Sequence, residues 1–527
     1  MFNLKTEFKI ILFLIIMFTC FYALFIPGSI GGDGYQVYLT AKNLVLNGKL
    51  HIAEQDLTPD LKQTYYYNKA DGHHYFGYGM LQALIMIPFY IKGLLLSKIS
   101  GIDQGLLTKL FVNFSNCLIT AFIIAGLYIL SRLLNYSIKI SIILGVLAGI
   151  TTMLWNYSKE SFSEPLSCLL FIFAFIFAVL YKNNLNDNVK DKSNINKGSN
   201  KYIFLSSIFL GLSLLTKIAN IIFIIPLLIY FGLIAYENKK LSSFIKAFFI
   251  VMFTILFFML VNMYVNKIRF GSFLHLGYID LADMGNTHVH IKKTGIITVF
   301  YGFLLSSGRS IFVYNPVLIA ALFGIASFYK KFKKESYALL SFIIISFLLF
   351  SSVPFWYGGL CWGPRYLYPL IPFLMLPLGE VFTEKRFEFI KKRILPLLVI
   401  LGILIQIPSV MANYFCWDGI LEKNGIDKDK LLFVPAYSQV AGSIKVLNAG
   451  LSGEYIIDLG GIKENLSEYA SISPCIIRGL KGSIEKQSGV VIHISTAQRV
   501  LLFLWMMFLI FMVFISAGVL YRKAKYS

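Results

Sequence analysis

Apolar runs of about twenty residues recur along almost the whole chain, each closed by a short polar or basic turn. A helix needs a run of that length to cross about 30 Å of hydrocarbon, where every backbone N–H and C=O must be satisfied within the segment. A chain built this way folds as a polytopic bundle of membrane helices. Composition agrees, with 57% of 527 residues hydrophobic and 14% charged, where soluble domains carry about a quarter charged. The net charge of +21 sits mostly in short clusters between the runs. That is an orientation signal, with some attraction to anionic membrane lipids, and it gives no footing to a nucleic-acid partner. The six cysteines show no ligand spacing, so no structural metal is indicated.

Charge then sets the topology. Lys5 and Lys9 place the N-terminus in the cytoplasm, and the first apolar segment, lacking an A-x-A-like site, reads as an uncleaved helix. Crossings are expected near 8–30, 105–131, 138–157, 162–181, 202–216, 218–236, 242–265, 311–329, 336–353, 365–382, 394–412 and 500–521. The stretch 79–99 is about long enough to span but carries Pro88 and Lys92. Arg132, Lys139 and the Asn/Lys linker 182–201 all read as cytoplasmic, which leaves room for only three crossings between 31 and 200. By that parity 79–99 lies at the outer face as an interfacial or re-entrant helix. Both termini are then cytoplasmic, in the cell membrane.

Three units are expected: a membrane module 1–412, an extracytoplasmic unit 413–499, and a last helix with its tail, 500–527. The first outer loop, 31–104, holds a short amphipathic helix candidate, Tyr35 to Leu46, and the run Tyr65-Tyr66-Tyr67. Further outer loops fall at 266–310 and 354–364. Alternating stretches such as Val490 to Ile494 make 413–499 a small α+β or β-rich unit, in which Cys416 and Cys475 are free to pair. No internal repeat is visible, which counts against transporters built from repeats.

Ionisable residues at the edge of an apolar bundle are functional candidates. Asp33 stands in Gly31-Gly32-Asp33-Gly34-Tyr35, where the first helix leaves the membrane. Glu164, Lys217, Arg309 and Arg365 all fall at outer helix ends by the same parity, and Asp71, His73 and His74 lie in the first outer loop. Each has an ordinary reading: Glu164 before Pro165 as a helix start, Lys217 as a snorkelling lysine, the arginines as headgroup anchors, the histidines as loop residues. Cations kept outside against the positive-inside bias nonetheless point to an anionic ligand at the lipid–water boundary, and a lipid-linked phosphate suits the planar fork of arginine.

The order of motifs resembles the GT-C superfamily of membrane glycosyltransferases, in its polyprenyl-phosphate-sugar-dependent branch (protein O-mannosyltransferases and the aminoarabinose transferase of lipid A, glycosyltransferase family 39-like). The matching pieces are Gly32-Asp33-Gly34-Tyr35, Asp71-Gly-His-His-Tyr-Phe-Gly-Tyr-Gly79 leading to Pro88-Phe-Tyr90, and Phe162-Ser-Glu164-Pro165. They continue with Leu215-Thr-Lys217, Arg269-Phe-Gly-Ser272 with Gly277-Tyr278, Ser307-Gly-Arg309 through Pro316, and Gly363-Pro-Arg365-Tyr with Pro369 and Pro372. The likeness covers about 25 to 385; no counterpart of 413–499 is recognised.

The resemblance implies inverting transfer of a sugar from a polyprenyl phosphate to a lipid, glycan or protein acceptor on the extracytoplasmic side. Asp33 would be the base, with Glu164 orienting a substrate or sharing that role. Arg309, Arg365 and Lys217 would hold the donor phosphate, and Tyr35, Asp71, His73 and His74 would belong to a lid. Many relatives carry Asp-Glu where this chain has Asp33-Gly34, so the second acid is missing there and Glu164 is the expected partner. Two outer carboxylates leave the use of Mg2+ or Mn2+ open. Competing readings are a lipid-linked saccharide transporter or flippase, an O-antigen-type polymerase, and a GT-C-like subunit without activity.

Overall fold

The computed structural model describes residues 4–57, 66–68, 70–190, 199–275, 295–353, 355–359, 361–453, 456–458, 463–465, 474, 483–485, 491–493 and 495–525. Among the described residues, ten helical segments are long and apolar enough to cross a membrane. All but one fall on expected crossings: α1 (Leu4–Ala23), α4 (Gln104–Leu133), the first part of α7 (Glu164–Lys190), Ile218–Glu237 with α9 (Ile224–Glu237), α10 (Leu241–Phe270), α14 (Lys333–Ser351), Arg365–Thr383 with α15 (Ile371–Leu374) and α16 (Leu378–Thr383), Ile390–Met411 with α17 (Leu395–Met411), and α21 (Thr496–Lys525). The other three expected crossings are not among those ten. Ile138–Thr151 (α5) breaks before Leu154–Ser158 (α6), Ser199–Thr216 (α8) stops at Lys217, and Ile311–Tyr314 (α12) is offset from Val317–Lys331 (α13) by Pro316.

The exception is α3 (Met80–Ser100), and its packing decides its level. Helix α4 has 30 residues, so it runs about 45 Å, well beyond the hydrocarbon thickness. Its second half pairs with α1, where Tyr128 and Arg132 hold Glu7. Asn113 donates to the carbonyls of Pro27 and Ser29, just where the chain leaves α1. Helix α3 lies beside the other part of α4: Gln82 meets Asn116, Phe89 meets Phe114, Lys92 lies over Phe111, and Gly93 abuts Thr108. It therefore packs along the part of α4 that lies beyond the end of α1.

The expected amphipathic helix forms as α2 (Gly32–Asn47), and Tyr66–Asn68 pairs antiparallel with His73–Tyr75 in register Tyr67↔His74. Two differences stand out. The expected outer loop 266–310 contains α11 (Ile296–Leu305), too short to span yet apolar, with Ile297 and Leu305 exposed. The stretch after 412 is helical before it is extended: α18 (Phe415–Lys423), α19 (Lys428–Phe433) and α20 (Gln439–Ser452) precede two three-residue hairpins, Ile456–Asp458 with Lys463–Asn465 and Ser483–Glu485 with Val491–His493. Trp417, Ile420, Leu431 and Val446 from those helices join the same core cluster as the membrane helices, so 415–452 packs onto the bundle rather than hanging from it. The Cys416–Cys475 pairing, Gly277-Tyr278 and most of the 182–201 linker's centre fall outside the described residues.

Buried charges collect at the two ends of the bundle. At one end Glu7 pairs with Arg132, Glu335 with Lys182 and Tyr230, and Glu380 with Lys331 and Tyr136. These are the basic turns expected inside. At the other end lie Asp33, Lys159, Glu160, Glu164, Lys217, Arg269, Arg309 and Arg365.

Candidate functional site

Four of the expected residues meet. Asp33 stands in the first turn of α2, and Glu164 opens α7 with Pro165 behind it, both acids at helix N-termini where the helix dipole favours them. Lys217 is extended (φ −151°) between α8 and the 3-10 turn Ile218–Phe223, so the chain breaks there as the sequence suggests. Arg365 begins the 3-10 helix Arg365–Leu370. The Arg365 Nε donates to Glu164 Oε1 at 2.5 Å, its Nη2 donates to Asp33 Oδ2, and Lys217 Nζ donates to the same Glu164 oxygen. The guanidinium rests 4.6 Å above the Phe162 ring, and the Lys217 ammonium lies 5.9 Å from that of Tyr366.

Exposure separates the two acids. The Glu164 side chain is 4% exposed and that of Asp33 26%. Asp33 can therefore reach an incoming group, while Glu164 lies beneath as the charge that holds both cations. Glu164 Oε2 is buried with no hydrogen-bond partner, an open acceptor position of a kind that is costly to leave unfilled.

The glycine after Asp33 has a physical reason. A Cβ at Gly34 would stand 3.0 Å from both the Cβ and the carbonyl oxygen of Ser161. Helix α2 thus lies directly on Ser161, and any side chain at 34 would crowd it. The second carboxylate on Arg365 is that of Glu164.

Arg309 does not join the four. Its guanidinium is wholly buried, with Nε donating to the Tyr357 carbonyl (2.6 Å), Nη1 to Gly308 O (2.8 Å) and Gln439 Oε1 (2.7 Å), and Nη2 to Gly359 O (3.0 Å). Four of five donors are engaged by neutral acceptors, a scaffold role rather than an open anion site. Asp71 accepts from the His73 N–H (3.0 Å) and the Tyr75 hydroxyl (2.7 Å), closing the hairpin turn. The His73 ring stacks on His51 at 3.8 Å and His74 faces Tyr67, both contacts within the first loop. Tyr35 stacks near Tyr38 under Lys109, facing α4. What the first loop brings to the site is its exit: Gly79 lies against the carbonyls of Leu215 and Thr216, beside Lys217.

Sequence reasoning passed over a second buried group. Lys159 lies 3.4 Å from Glu160, whose other oxygen accepts from the Tyr414 hydroxyl at 2.6 Å. Burial pushes the Glu160 carboxyl up and the Lys159 ammonium down, each opposed by the other's charge. Asn116 donates to the carbonyls of Glu160 and Phe162, fixing the segment under Asp33. Adjacent opposite charges cancel in a sequence scan; their shared apolar setting was the available signal. Asp418 and Gln439 also escaped notice, lying in a stretch without a motif.

A divalent cation does not fit this donor set. The Arg365 guanidinium fills the place between Asp33 and Glu164, and among the described residues no group of three His, Cys, Asp or Glu could hold a metal.

No family model matches the sequence and no curated protein matches it. Among solved structures, the chain is similar to ArnT from Cupriavidus metallidurans in the apo state, at 11% identity and TM-score 0.47, over 83% of this chain and 78% of that one. It is also similar to the same protein bound to undecaprenyl phosphate (12%, TM-score 0.46, 84% and 79%). A third likeness is to the Archaeoglobus fulgidus oligosaccharyltransferase in complex with Zn and sulfate (14%, TM-score 0.45, 81% and 58%). At this level of similarity nothing about chemistry transfers.

Proposed function

We propose that this protein is an integral membrane glycosyltransferase, moving a sugar with inversion from a polyprenyl-phosphate donor to an acceptor hydroxyl or amine at the extracytoplasmic face of the cell membrane. The observation that carries this reading is the convergence of Asp33, Glu164, Lys217 and Arg365 at one end of an apolar bundle, with one acid open and one buried. A polyprenyl tail stays in the hydrocarbon while its phosphate reaches that end, where two cations stand ready.

The four charges cancel as built. An arriving phosphate competes with Asp33 for Arg365, because Glu164 is the deeper and less accessible partner. Loss of its guanidinium frees Asp33 to accept the acceptor's proton. The acceptor oxygen or nitrogen then attacks the sugar's anomeric carbon, and the carbon–oxygen bond to phosphate breaks on the opposite side. The bonding pair leaves with the phosphate, whose charge Arg365 and Lys217 stabilise. Glu164 acts from beneath, holding Arg365 and Lys217 in place for the phosphate.

A transporter or flippase would need charges along the bundle's depth. Among the described residues the buried charges gather at the ends, which favours the enzyme. The test is incubation of the purified protein with a panel of polyprenyl-phosphate sugars and an envelope extract, reading free polyprenyl phosphate by mass spectrometry. Release that requires Asp33 is expected; donor left intact across the panel counts for the inactive or transporting alternatives.

A further inference from the structure

The loop that presents Arg365 is shaped from outside the membrane bundle. Residues 355–359 and 361–363 include three glycines in the left-handed region, Gly358 (φ +84°), Gly359 (φ +72°) and Gly363 (φ +61°). At Gly363 even a methyl group would strike the Tyr314 ring at 2.7 Å. A loop this rich in glycine has little shape of its own. Its carbonyls face two arginines: Tyr357 O and Gly359 O accept from Arg309, and Gly358 O lies 3.5 Å from Arg365 Nη1.

Gln439, the first residue of α20, locks this arrangement. It is fully buried and uses both ends of its amide. Its Oε1 accepts from Arg309 Nη1 at 2.7 Å and from the Gly363 N–H at 3.3 Å, two residues before Arg365. Its Nε2 donates to both oxygens of Asp418 in α18, at 3.2 and 3.5 Å. The chain of contacts runs Asp418, Gln439, Arg309, loop, Arg365. Nothing in the proposed transfer chemistry requires Gln439 or Asp418, yet a buried amide and a buried acid are retained there.

We infer that Gln439 is a positioning residue through which the outer helical stretch 415–452 sets the placement of Arg365, and hence the affinity for an anionic lipid phosphate. The inference rests on the reading of Arg365 as the phosphate-binding arginine. It gives the stretch after 412 a part in the site, without contact to substrate. The other charged and titratable groups that bear on Asp418 are Lys428 and Glu422, and those on Arg309 are Cys361, Tyr314 and Tyr157.

The experiment measures the Kd for polyprenyl phosphate in nanodiscs for wild type, Gln439→Leu, Arg365→Ala and the double variant, with melting temperature as a check on folding. Gln439→Leu should weaken binding about tenfold, the effect of one lost buried hydrogen bond. In the Arg365→Ala background the same change should add nothing, because its effect passes through Arg365. Additive losses, or an unchanged Kd in folded Gln439→Leu, overturn the inference. Failure of Arg365→Ala to weaken binding overturns the reading of the site instead. Should Gln439→Leu not fold, Gln439→Asn keeps the amide but is too short to reach both Asp418 and Arg309. Weaker binding by the folded Gln439→Asn variant is expected, and an unchanged Kd refutes the role.

Discussion

The two ends of the bundle handle buried charge differently. At one end each acid has cations or hydroxyls drawn from neighbouring turns, as with Glu335 between Lys182 and Tyr230, or Glu7 between Arg132 and Tyr128. At the other, one arginine is shared by two acids and one of those acids also takes a lysine. The first pattern ties turns together. The second leaves an acid accessible and a carboxylate oxygen unpartnered, an arrangement that a ligand improves. Burial and pairing occur at both ends; one arginine shared between a buried and an open acid occurs at the second.

That contrast is broken most severely by Asp33→Asn, which should cut transfer by about 10²-fold or more in a steady-state assay, the range of a general base. Arg365→Ala should come next, weakening polyprenyl-phosphate binding by about tenfold or more and leaving two acids without their shared partner. At the opposite end Glu335→Gln should lower unfolding stability by about 2 kcal/mol while donor KM stays put, since it strands Lys182 and Tyr230 only. Gly34→Ala should cost about 1 kcal/mol and some activity by lifting α2 off Ser161. The smallest effect concerns Glu160. Its pKa is raised by burial, so the stabilisation it contributes is complete below its ordinary value of 4.5 and is lost as pH rises through the raised one. Thermal unfolding across pH should show wild type losing ground to Glu160→Gln as pH increases from about 4.5.

Much of this was legible in the chain itself. Apolar run length placed most crossings, because hydrocarbon leaves a chain so few options. Asp33, Glu164, Lys217 and Arg365 stood out because charge at the edge of an apolar run is costly. Arg309 stood out for the same reason but is spent on carbonyls, and its key partner, Gln439, lies 130 residues away. No local pattern announces such a partner. Helix α11 was absorbed into a loop because ten residues cannot span. Asp71 closes the turn of the hairpin in the first loop, and His73 stacks on His51 within the same loop.

The central claim is that Asp33 and a donor phosphate compete for Arg365. Titration of polyprenyl phosphate into Asp33→Asn tests it most directly, beside a transfer assay on the same preparation. Binding as tight as wild type or tighter, with no transfer, is the expected result. Binding lost together with transfer, or transfer retained, would contradict it.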